Sequence, residues 1–111
     1  MEYCSRKNRK PKVIPELIIR PEAEAEISEA VDWYEERVLG LGSDFILNLD
    51  AAFHTILRNP LLYPALHKNI RRALLRRFPY QVFFVYEKNR VVVLAVFHSK
   101  RDPKHWKHRS A

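Results

Sequence analysis

With one cysteine and two glycines in 111 residues, the chain falls outside several protein classes. Cys4 alone can build neither an internal disulfide nor a cysteine-cluster zinc site. Gly40 and Gly42 are too few for a glycine-rich phosphate loop. No apolar run approaches the roughly 20 residues that cross a bilayer, so no membrane role is expected. Residues 1–12 also lack the apolar stretch of a secretory signal. What is present suits one folded domain: 47% hydrophobic residues and a length near the commonest domain size.

Acidic charge is scarce overall, with 13 Asp and Glu against 20 Lys and Arg, a net +7. The imbalance is not uniform. Residues 1–12 carry +4, residues 13–39 carry −6, residues 40–69 carry 0 and residues 70–111 carry +9. An acidic first half and a basic second half point to an acidic or polyanionic partner for one face. Residues 1–12 (MEYCSRKNRKPK) predict a mobile basic arm, and residues 13–111 a single domain.

Residues 13–20 (VIPELIIR) read as a short strand. Pro21 suits a first helical position, and Glu22, Glu24 and Glu26 follow where the helix dipole favours anions. Ala23, Ile27, Ala30, Val31, Tyr34 and Val38 recur at helical spacing, giving an amphipathic helix ending near Gly40. Its other face, with Glu24, Glu29, Asp32, Glu35 and Glu36, reads as solvent-facing. Ser43 or Asp44 can cap a second helix, striped by Phe45, Leu49, Ala52, Phe53 and Ile56 and ended by Asn59-Pro60. The short break predicts an antiparallel helical hairpin. Residues 60–69 read as a connection, and strands are expected over 70–77, 79–87 and 90–98, with Lys88-Asn89 as a two-residue turn. Near-continuous apolar runs in the last two predict strands covered on both faces. The expected fold class is α+β, in the order β-α-α-β-β-β, with the hairpin covering one face of an antiparallel sheet.

Two regions are candidates for function. Arg71, Arg72, Arg76 and Arg77 crowd one predicted strand, and guanidinium groups bind phosphates and carboxylates bidentately. Alternation would put Arg72 and Arg76 on one face, Arg71 and Arg77 on the other. The alternative is a charged edge strand kept soluble. In the tail, Arg101 and Trp106 could contact a base and phosphate, or Trp106 could pack on the sheet. His105 and His108 lie three apart with only Asp102 nearby, so no metal and no cofactor are expected. Metal-free RNA cleavage needs a proton carrier and cations on the phosphate. His98, with Arg72, Arg76 and Arg101, would be the catalytic candidates.

Several short segments, in order, resemble the RelE/ParE superfamily of type II toxin–antitoxin toxins. They are WYE at 33–35, Leu41-Gly42 followed by Phe45, and Ile56 with Asn59-Pro60 and Tyr63-Pro64. They continue through RRALLRRFPYQVFFVYE at 71–87, VVVLAVFH at 91–98, and Arg101-Asp102-Pro103 with Trp106. The resemblance implies the same fold and a small intracellular, hence cytoplasmic, bacterial protein. It also implies a cognate antitoxin, often encoded beside it. RelE-like members are ribosome-dependent mRNA endonucleases, and ParE-like members are associated with inhibition of DNA gyrase. Gln81 stands where cleaving members commonly hold an arginine, and Leu74 where they often hold a lysine. His98 and Arg101 match positions that cleaving members use. The ParE-like reading is favoured, with Arg71, Arg72, Arg76, Arg77, Arg101 and Trp106 as the surface for target or antitoxin. A RelE-like nuclease acting on the ribosome and mRNA, and a degenerate member that only binds antitoxin, are the alternatives.

Overall fold

The computed structural model describes residues 14–100. The chain runs β1 (Glu16–Ile19), α1 (Pro21–Arg37), α2 (Leu41–Arg58), a 3-10 turn (Pro60–Leu62), β2 (Ala65–His67), β3 (Ile70–Leu74), β4 (Tyr80–Glu87) and β5 (Arg90–His98). The fold is α+β, with two helices followed by a strand-rich sheet. Sheet order is β1-β5-β4-β3-β2. β2, β3, β4 and β5 are antiparallel in turn, whereas β1 lies parallel to β5 at the edge. A parallel neighbour requires a crossover, and the helical hairpin supplies it.

The α1–α2 hairpin packs on one sheet face. There Tyr34, Phe45, Leu49, Phe53 and Ile56 meet Ala73, Val82, Phe84, Val93 and Val96. Ile70, Phe83, Val85, Leu94, Ala95 and Phe97 form a second buried cluster on the outer face. The apolar runs of β4 and β5 are thus buried on both sides. An extra residue near Leu94 shifts the β4–β5 register between Phe83 and Phe84.

Local expectations are corrected in three places. α2 begins at Leu41, not after Ser43 or Asp44, and makes no side-chain cap bond. Gly40, at φ +89°, turns the chain in a conformation that only glycine adopts freely. The 60–69 connection contains the 3-10 turn and β2. β3 stops at Leu74, so Arg76 and Arg77 lie in the bend before β4 and share no strand alternation with Arg71 and Arg72. The cause is Phe78, which turns inward to stack edge-on against Tyr34 (4.9 Å) and Phe45 (5.3 Å). A continuing strand with Leu75 inside would point residue 78 outward. At the β4–β5 turn, Lys88 and Asn89 both take positive φ (53° and 57°), as a primed two-residue turn requires.

Candidate functional site

Arg72 sits on the outer sheet face, opposite Phe83 of β4. Its Nη1 donates to Gln81 Oε1 (3.2 Å), and Gln81 Nε2 donates to the Ser99 carbonyl (3.4 Å). Gln81 is buried, so these two bonds satisfy an amide that would otherwise be costly to bury. Leu74 pairs with Gln81 across the strands, on the same face. This part of the outer face therefore carries one cation, one neutral amide and one leucine. Arg71 turns to the other side, where its Nη1 donates to the Tyr63 carbonyl and pins the segment before β2. Arg77 lies over the Phe78 ring, 5.9 Å from its centroid, and its backbone N–H reaches Asn48 Oδ1 (3.4 Å). The four arginines are thus split among two faces and a bend.

His98 ends β5 on the helix-side face, its ring 5.3 Å from Tyr80. It borders a cavity of about 600 Å³ between α1 and the ends of β4 and β5. Trp33, Tyr34 and Tyr80 wall this cavity, with Glu26 and Glu29 on the α1 side. The Lys100 N–H points at His98 Nδ1 (3.1 Å), which leaves the ring proton of the neutral form on Nε2. Tyr80 and Gln81 are neighbours on β4 and so face opposite ways. The sheet therefore separates His98 from Arg72, so these two members of the cleavage set are not brought together. Arg76 is also apart, in the bend after β3. Arg101 and Trp106 lie outside the described residues, as do the residue 1–12 arm, Asp102, His105 and His108. Among the described residues, no three His, Cys, Asp or Glu side chains gather as metal ligands would. No described helix is long and apolar enough to cross a membrane.

Sequence reasoning missed two carboxylates on α1. Glu35, expected to face solvent, accepts the Gly40 N–H through Oε2 and the Gly42 N–H through Oε1, both at 2.9 Å. It thereby caps α2 from the preceding helix. The signal was the pair of glycines five and seven residues downstream. Glu26 Oε1 accepts the Val96 N–H (3.0 Å). β1 ends at Ile19, opposite Val93, so this later stretch of β5 has no strand on that side and takes its partner from α1.

Over residues 17–103 the chain matches the family described as ParE toxin of type II toxin–antitoxin system, parDE. A solved structure from a chromosomal ParDE toxin–antitoxin system of P. aeruginosa has a similar fold. Its TM-score is 0.68 at 14% identity, over 78% of this chain and 98% of that chain. No curated protein sequence matches the chain.

Proposed function

Since the chain belongs to the ParE toxin family of type II toxin–antitoxin systems, we propose that it inhibits growth by occupying a protein target. The target is DNA gyrase, in the cytoplasm, and a cognate antitoxin neutralises the toxin. The observation that carries this reading is the outer face of β3 and β4. Beside the single cation Arg72 it holds only the neutral Gln81 and Leu74, and His98 lies beyond the sheet. A nuclease of this kind needs a proton carrier and cations around one phosphate. Binding to a protein needs only a shaped surface.

Induced expression with two readouts tests it. Purified gyrase should lose supercoiling activity on addition of the toxin, while translated mRNA in expressing cells stays intact. His98→Ala should leave growth inhibition unchanged. Codon-phased cuts in mRNA that vanish in His98→Ala would overturn the proposal in favour of the nuclease. Normal growth on expression would leave a protein that only binds antitoxin.

A further inference from the structure

The outer face of the sheet is buried although both helices lie on the other side. Ile70, Phe83, Val85, Leu94, Ala95 and Phe97 are each only 0% to 2% exposed. They pack together as one cluster, joined by Val92, and every member belongs to β3, β4 or β5. The helices pack instead against Val82, Phe84, Val93 and Val96, which point the opposite way. A side chain on a bare sheet face keeps much of its outward surface in water, so a face this apolar is buried only beneath a further layer. Among the described residues, no helix or loop contributes to that layer.

β5 delivers the chain to this face. Gln81 pairs with Phe97 across β4 and β5 and so shares its side of the sheet. Gln81 Nε2 donates to the Ser99 carbonyl (3.4 Å), which draws the residue after β5 towards the same side. The described residues end at Lys100, three beyond Phe97. Trp106 follows six residues later, and six residues reach about 20 Å when extended. Phe97 and Leu94 lie behind Lys100 along β5 by about 10 and 20 Å. The amino-terminal arm joins the sheet elsewhere. β1 begins with Glu16 opposite Arg90, at the other end of β5 from Phe97. The arm's one aromatic residue, Tyr3, precedes Glu16 by 13 residues.

A buried apolar face, a chain directed onto it and a tryptophan within reach specify one occupant. We propose that the chain's own segment 101–111 lies across the outer face as a third layer, with the Trp106 ring seated on Phe83, Leu94 and Phe97. A ring of this kind buries roughly 150–250 Å². The aliphatic stems of the lysines and arginines in the same segment extend the cover while their charged ends stay in water. Trp106 then holds the sheet from the side that the helical hairpin leaves open. A partner approaching that side meets this segment rather than bare strand.

The test is nuclear Overhauser spectroscopy on the full chain, with labelled and unlabelled protein mixed to separate contacts within a chain from contacts between chains. The Trp106 indole protons should show contacts within the chain to the Phe83 and Phe97 rings and the Leu94 methyl groups. In Trp33→Phe, where Trp106 is the sole indole, acrylamide should quench its fluorescence several-fold less than that of a free indole amide. Trp106→Ala should bare the face, raising the fluorescence of added anilinonaphthalene sulfonate several-fold and lowering the urea midpoint. Trp106→Phe should restore most of both. The contacts in the unaltered chain decide the question even if Trp106→Ala misfolds. A Trp106 ring without contact to these three residues would overturn the proposal. So would contacts from Tyr3, which would give the face to residues 1–12, or contacts seen only between chains, which would give it to a second copy.

Discussion

Glu35 and Gly42 show how much one contact can organise. The start of α2 leaves several N–H groups without intrahelical partners, and no side chain of its own caps them. Glu35 takes two N–H groups of this turn, so the first helix ends by holding the start of the second. Glu35→Ala should cost about 1–2 kcal/mol in urea unfolding, the range for a lost charged cap. Glu35→Gln, which keeps an acceptor, should cost less. Gly42 is under tighter constraint. A Cβ there would lie 2.9 Å from Glu35 Oε1 and 2.9 Å from the Val31 carbonyl. The carboxylate can swing aside, but the helix backbone cannot. Gly42→Ala should therefore destabilise by about 1–3 kcal/mol and move the hairpin, visible as a lowered urea midpoint. The glycines were legible in the sequence as a helix break. Their bond to Glu35 was not, because a helical wheel assigns a residue to a face and says nothing about the neighbouring helix's end.

At the level of elements, helix limits and turn chemistry were readable because each has a local cause. Pro21 opens α1, Asn59-Pro60 closes α2, and Lys88-Asn89 turns β4 into β5. Asn89 tests this reading directly. Its φ of 57° is tolerated by asparagine, strained for most residues and free for glycine. Asn89→Gly should hold or raise the melting temperature, and Asn89→Val should lower it by several degrees, a cost of about 1 kcal/mol in a domain this size. The end of β3 was illegible for the opposite reason. The segment 70–77 is β-competent throughout, and only the demand of the helical hairpin for Phe78 between Tyr34 and Phe45 bends it. The parallel pairing of β1 is likewise a tertiary outcome. Nothing within residues 16–19 specifies which strand they join.

For the whole molecule, the sequence showed where charge accumulates but not how the sheet divides it. Seen as a string, His98 and the arginines belong to one basic half. Folded, Arg72 and His98 stand on opposite faces, a separation set by alternation on β4 and legible only once Tyr80 and Gln81 are in register with β5. The helix-side face is held by an aromatic group at the meeting of α1, α2 and the sheet. Tyr34 packs 5.5 Å from Phe45, 4.9 Å from Phe78 and 6.1 Å from Tyr80 between ring centroids. Burial there raises the Tyr34 hydroxyl above its ordinary pKa of 10.0, because the phenolate would lose water. A raised pKa in the folded state means that the unfolded chain releases this proton first as pH climbs. Tyr34 then adds no penalty below pH 10, and stability falls as pH rises through 10.0 towards the folded value. Urea midpoints measured from pH 8 to 11.5 should decline at the alkaline end, and Tyr34→Phe should flatten that decline while preserving the ring packing. Since Tyr34 joins both helices to the sheet, its ionisation should loosen the whole domain rather than one element. Near-ultraviolet circular dichroism and the urea transition should therefore shift together. A decline of equal slope in Tyr34→Phe would assign the alkaline loss to other groups.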